Sequence, residues 1–211
     1  MFLKYYQQMI NAERPSIFWY NKLKNNDIDT SLLRLATVFQ YKNHKNENLF
    51  DHTMNVLDLI KDKNEITLFA ALLHDIGKHT TSFPQDHALE SAKYANALLK
   101  HWSAPDVFII PILNIISTHM TDITHFKKKG IRNFISRVGA RNIENWFNVR
   151  RADSLAYSNR SNNLIERFYK QIQEELIINN PILPLQPNDN IKIISKDNKS
   201  IKIPLSIKSE R

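Results

Sequence analysis

A histidine and an aspartate stand side by side, His74 and Asp75, where the apolar run Ile66 to Leu73 ends in Leu72-Leu73-His74-Asp75-Ile76-Gly77-Lys78. Both are poor residues for the end of a buried helix and good ligands for a divalent metal. His52, His87, His119 and Asp153 could join them. The chain contains no cysteine, which removes thiolate zinc sites, disulfides and cysteine nucleophiles, so a metal must rest on imidazole and carboxylate. Such donors suit Mn, Fe, Co, Ni or Zn, whereas a Mg site would use fewer histidines. A metal held this way lowers the pKa of a bound water from about 15.7 to roughly 7, which makes hydroxide available for hydrolysis at neutral pH.

The elements that must position these residues are helices. Only three glycines occur, and β-branched alternation is scarce before residue 190, so an all-α bundle is expected. Residues 2–12, 16–24 and 30–40 read as short helices, the last capped by Asp29 or Thr30, with Tyr5, Tyr6, Phe18, Trp19 and Tyr20 as core. From Leu49 to Ile60 an apolar face through Leu49, Val56 and Ile60 includes His52. The next helix, Glu65 to Ile76, turns Ile66, Phe69, Ala70 and Leu73 inward, which places His74 and Asp75 on its final turn and makes Gly77 a C-terminal cap. A helix from Pro84 or Asp86 to Lys100 buries Tyr94, Ala95 and Leu98, and His87 and Ser91 extend that stripe. After Pro105, Phe108, Ile112, Ile115 and Ile116 lead to His119. Asn142 to Tyr157 carries Trp146, Val149 and Ala156 with Asp153 among them. Two further helices follow, the last with Leu164, Phe168 and Ile172 inward and ending near Asn179 and Asn180. Residues 190–195 and 201–206 then alternate in period two, as a β-hairpin or an extended tail does.

Five helices thus each carry a His or Asp at an inward position. Taken singly, an inward histidine is most simply hydrogen-bonded in a core. Taken together, His52, His74, Asp75, His87, His119 and Asp153 would need six separate partners, whereas one metal centre satisfies them at once. The chain of 211 residues, 42% hydrophobic, is long enough for one full core, read as a helical lead-in over 1–48, a main domain over 49–180 and an appendage over 181–211. Neither a secretory signal nor a run of membrane-spanning length is present, and the reading is cytoplasmic. The net charge of +8 favours a polyanionic partner such as nucleic acid, an argument reduced by the scatter of many of the lysines. Its densest cluster, Lys127-Lys128-Lys129 with Arg132, reads either as a solvated loop before a helix or as a phosphate-binding patch.

The ordered series His52, His74-Asp75, Asp153, with the continuation His74-Asp75-Ile76-Gly77-Lys78, resembles the HD superfamily of metal-dependent phosphohydrolases over roughly residues 48–158. The resemblance implies a metal on His52, His74, Asp75 and Asp153, and a second on His87 and His119 with Asp75 as bridge. Leu49 to Asp58, Ile131 to Gly139 and Trp146 to Ala156 look more particularly like the HD region of bacterial tRNA nucleotidyltransferases and poly(A) polymerases. Some of those carry a phosphatase and 2',3'-cyclic phosphodiesterase acting on nucleotide or RNA ends. Their nucleotidyltransferase head would need a Gly-rich phosphate turn, and residues 1–48 contain no glycine. A freestanding HD domain is expected.

On this resemblance Asp75 and Lys78 are catalytic candidates; Lys78 with Arg150 or Arg151 could clamp substrate phosphate, and His79 is a substrate-binding candidate as proton donor to the leaving group. Lys78 is equally read as a lysine complementing a helix C-terminus, and both arginines as solvent-facing. His44 and His125 read as loop residues and His101 as a helix cap. A nucleotide or deoxynucleotide phosphohydrolase of the same superfamily, and a non-catalytic nucleic-acid-binding module, remain the other functional readings.

Overall fold

Helix α5, Glu65–Leu73, is apolar on every side, and the need to bury it arranges its neighbours. In the computed structural model, which describes residues 1–38, 48–78, 87–157, 162–179, 190–194 and 200–204, every residue of α5 from Thr67 onward is buried. Asn64 caps it, its Oδ1 accepting the Thr67 N–H at 3.0 Å. Around α5 pack α4 (Leu49–Leu59), α6 (His87–His101), α7 (Asp106–Thr118) and α9 (Ile143–Ala156). Asn48 caps α4 in the same way, accepting the Asp51 N–H at 2.8 Å.

The lead-in shares this core. Phe2, the first residue of α1 (Phe2–Asn11), stacks on Phe69 of α5 with ring centroids 4.0 Å apart, and its N–H donates to the Trp102 carbonyl at 2.8 Å. Helix α2 (Pro15–Lys24) is fastened to α4 by Ser16, whose N–H and Oγ donate to the two Asp58 carboxylate oxygens at 3.0 and 2.7 Å. Of the five lead-in aromatics expected in the core, Trp19 is fully buried and Tyr5, Tyr6 and Phe18 are half-buried. Tyr20 is exposed instead, its hydroxyl donating to Asp51 Oδ1 at 2.9 Å. The helix expected over 30–40 is broken: α3 (Thr30–Leu33), capped by Asp29, passes into a 3-10 turn at Arg34–Thr37. Residues 39 and 40 lie outside the described residues, as does His44.

Helix α8 (Lys128–Val138) ends at Gly139, whose φ of 88° favours glycine. Lys128 and Lys129 thus form the first turn of a helix rather than a loop before it. After α9 the described residues hold one further helix rather than two, α10 (Asn163–Asn179), since no Gly or Pro interrupts it; its inward stripe is Ile165, Phe168 and Ile172, and Leu164 is 38% exposed. The expected stripe was one position off at its start because the helix phase is set by Phe168, which packs against Phe126, Phe134 and Trp146.

The chain divides into two compact units, Met1–Glu175 and Leu176–Arg211. The first is helical throughout its described elements, and the all-α expectation holds. In the second, β1 (Asn190–Ile194) pairs antiparallel with β2 (Ser200–Pro204), Ile191 opposite Ile203, which is the hairpin alternative; residues 181–189 and 195–199 lie outside the described residues. No helix among the described residues is long and apolar enough to cross a membrane.

Candidate metal centre

Helix α5 stops at Leu73, and residues 74–78 continue as tight turns, with Ile76 N–H on the Leu73 carbonyl at 3.2 Å and Lys78 N–H on the Asp75 carbonyl at 3.0 Å. His74 is therefore the C-cap and Asp75 lies beyond the helix, not on its last turn. Gly77 does not act as a left-handed cap. Its role is close approach: a Cβ there would stand 2.3 Å from the Ser91 backbone nitrogen, and its own N–H donates to Ser91 Oγ at 2.9 Å. This contact brings α6, with His87 one helical turn before Ser91, against the doublet.

All six residues singled out in the sequence converge, and all are buried. They form two trios, His52, His74, Asp153 and Asp75, His87, His119, in each of which the ligand atoms lie within 4.8 Å of one another. In the first, His52 Nε2 is 3.2 Å and His74 Nε2 is 3.7 Å from Asp153 Oδ1. In the second, Asp75 Oδ1 lies 3.2 Å from His87 Nε2 and 3.6 Å from His119 Nε2, and the two imidazole nitrogens are 3.2 Å apart. Asp75 joins them, because its other oxygen, Oδ2, is 3.3 Å from His74 Nε2 and 3.9 Å from His52 Nε2.

The donor set fits a divalent metal. His74 Nδ1 donates to the Ala71 carbonyl at 2.7 Å and His119 Nδ1 to the Ile116 carbonyl at 2.6 Å, which turns each Nε2 toward the carboxylates, the nitrogen a metal would take, at His74 in exchange for its proton. His74 Nε2 is buried without a hydrogen-bond partner among the described residues. Such an atom is costly unless a cation completes it.

Electrostatics act in the same sense. Burial works to lower the His74 pKa, but the Asp75 carboxylate and then Asp153 outweigh it and raise it to about 10. Burial likewise works to raise Asp75 and Asp153, and the surrounding His74, with Lys78 at Asp75 and the His52 hydrogen bond at Asp153, holds both well below the usual carboxylate range. Burial lowers His119, keeping it neutral. Two ionised carboxylates kept out of water amount to a site built for positive charge.

Two cations stand at the rim. Lys78 Nζ is 2.5 Å from Asp75 Oδ2, and burial, which would lower its pKa, is outweighed by that carboxylate so that it stays protonated. Arg150 Nη1 is 3.1 Å from Asp153 Oδ2, while its Nε is buried without a partner among the described residues. Arg151 is not brought to the centre: its Nε pairs with Glu166 of α10 at 3.1 Å. Three residues before Asp153, Arg150 shares its helix face; Arg151, two before, does not. His79 lies outside the described residues. His101 and His125 are exposed. Tyr157, read from sequence only as the end of α9, packs its ring 4.6 Å from His52; nothing in its spacing marks it, since it adjoins the centre by ending the helix that bears Asp153.

A family model for the HD domain matches residues 49–158, more than half of the chain and the span that holds all six converging residues. No curated protein matches the chain significantly. With the doublet His74-Asp75 placed between a preceding histidine and a distant aspartate, all buried and in mutual reach, the chain belongs to the HD domain family.

Proposed function

We propose that the protein is a metal-dependent phosphohydrolase that cleaves a phosphodiester or phosphomonoester on a nucleotide or RNA end, a 2',3'-cyclic phosphate being the type of substrate expected. The observation that carries the reading is the position of Asp75, one carboxylate oxygen toward each histidine-bearing trio. His52, His74, Asp75 and Asp153 would hold one divalent transition metal, and His87 and His119, sharing Asp75, a second. Bound there, the metal acidifies a water and offsets negative charge on the phosphoryl oxygens.

The remaining roles belong to side chains. The Ala71 and Ile116 carbonyls hold the His74 and His119 rings in register. Lys78 and Arg150 offer donors to non-bridging phosphate oxygens, and the unpartnered Arg150 Nε makes it the better placed for a bidentate grip. Burial of the whole cluster strengthens each of these interactions as charge builds on phosphorus. The choice of nucleotide or RNA ends over other phosphate esters rests on the resemblance of residues 49–58, 131–139 and 146–156 to the HD region of tRNA nucleotidyltransferases.

The test is metal analysis of the purified protein together with assays on bis(p-nitrophenyl) phosphate, 2',3'-cyclic nucleotides and nucleoside mono- and triphosphates. Turnover of the cyclic phosphates that Asp75→Ala abolishes supports the proposal. A protein that binds no metal and stays inactive with Mn, Co, Ni or Fe added defeats it, and preference for deoxynucleoside triphosphates transfers the site to the related nucleotide hydrolases.

A further inference from the structure

Between the segment Ile123–Lys127 and helix α10 lies a second cavity of about 300 Å³, separate from the six converging residues and lined in part by Thr124, His125, Phe126, Lys127, Arg167 and Phe168. Its volume is at the small end of ligand sites. Three of these side chains are basic. Nearby cations are already engaged, Arg132 with Glu175 and Arg151 with Glu166, whereas Lys127 and Arg167 form no ion pair among the described residues.

The backbone adds to this charge. Lys127 is the N-cap of α8 and makes no side-chain cap, and the first turn contains Lys128 and Lys129 and no acidic residue. Lysines there oppose the helix dipole and leave its leading N–H groups unsatisfied by side chains. A bound anion relieves both. The segment holds no carboxylate, and Asp122, just before it, is turned onto Thr124, accepting from its N–H at 2.9 Å and its Oγ1 at 2.7 Å.

The cavity also has an aromatic wall. Phe126 lies against Gly130, where a Cβ would come within 2.9 Å of its ring, and its centroid is 4.8 Å from that of Phe168. Half-buried, Phe126 lines the cavity. Cationic donors beside an aromatic wall match the two parts of a nucleotide: phosphate for the one, base for the other.

We infer that this cavity binds a nucleotide unit, its phosphate held by Lys127, Arg167 and the start of α8 and its base against Phe126. Thr124 is five residues from His119, which caps the chain separation at about 18 Å. One short single strand could therefore occupy this cavity and the metal centre together. That last consequence rests on the proposed phosphohydrolase reading; the binding itself does not.

The test uses the protein, 5'-AMP, and a fluorescent ten-nucleotide single strand with 2'-O-methyl riboses and no terminal phosphate, which cannot transesterify to a cyclic phosphate; recovery of both probes intact after each titration reads binding apart from turnover. Arg167→Glu and Lys127→Glu are compared with Lys61→Glu, an equal charge change at an exposed position between α4 and α5. The expected result is strand binding weakened about tenfold or more by each cavity variant, with a salt dependence shallower by about one counterion, and little change for Lys61→Glu. Binding of 5'-AMP with the same sensitivity shows that a free nucleotide suffices; strand binding alone shows that a polymer is needed. Failure of both probes to bind, or equal losses in all three variants, overturns the inference. Binding with no phosphohydrolase activity would remove the proposed function and leave this site standing.

Discussion

Gly77 donates its N–H to Ser91 Oγ at 2.9 Å, and its missing side chain lets the backbone of α6 approach to within the space of one methyl group. The second trio depends on that approach, since Asp75 lies two residues before Gly77 and His87 four residues before Ser91. Gly77→Ala is expected to lower stability by about 2 to 3 kcal/mol through overpacking against backbone that cannot swing aside. Urea denaturation measures the loss. Metal titration of the surviving folded protein should show fewer bound equivalents, and an unchanged stoichiometry would mean that the approach is not what positions His87.

Arg150 and Arg151 should separate cleanly. Arg150→Ala is expected to lower kcat/KM for a cyclic phosphate by roughly tenfold to hundredfold, about 1.4 to 2.8 kcal/mol of transition-state stabilisation. Arg151→Ala should leave kcat/KM within about twofold and cost no more than about 1 kcal/mol of stability, as expected of a partly exposed ion pair. Steady-state kinetics of the two variants beside wild type decide, and equal effects would remove Arg150 from the site.

In metal-free protein His74 carries a proton, because its pKa is raised from 6.5 to about 10: burial opposes the shift, and Asp75 followed by Asp153 prevails. A folded-state pKa above the unfolded value contributes stability that is complete below pH 6.5 and lost as pH rises through about 10. The urea midpoint of chelated protein should therefore decline steadily from pH 7 to 10. Metal-loaded protein should do the reverse in affinity, since the metal takes the position of the proton and gains as protons become scarce. A flat midpoint for the chelated protein over that range would contradict the assignment.

Removing the metal should also cost stability directly. A ligand present at a hundred times its Kd stabilises the native state by about 2.7 kcal/mol, and thermal melts with and without chelator at pH 7 should differ in that direction. The same comparison on Asp75→Ala should show no difference.

Phe2→Ala should destabilise the whole helical unit by about 3 kcal/mol or more, because Phe2 is fully buried and stacks on Phe69 of the central helix. If the lead-in were an independent layer, the HD region would melt unchanged.

The six converging residues were legible in the sequence because each is a polar residue that continues, interrupts or directly follows an apolar helical stripe, and such residues need partners. What sequence left open was long-range geometry. The Glu175 partner of Arg132, 43 positions away, has no local signature, nor does the approach that makes Gly77 a spacer rather than a cap. Arg150 against Arg151 was decidable, since helical phase relative to Asp153 separates them. The slip at Leu164 came from placing the phase of α10 at its start instead of at Phe168. Tyr20 failed as a core residue for a different reason: a tyrosine can keep its hydroxyl in water, and this one meets Asp51.

His52 meets Asp153 across 101 positions of chain. At roughly 5 to 20 residues per second, a ribosome that has just made the first of these residues needs about 5 to 20 seconds to deliver the second. Over that interval His52, and then His74, stand without the carboxylate that completes their trio, while Asp75, His87 and His119 are already made. The first trio is thereby the last to be completed, and any metal it holds would be closed in only when α9 docks.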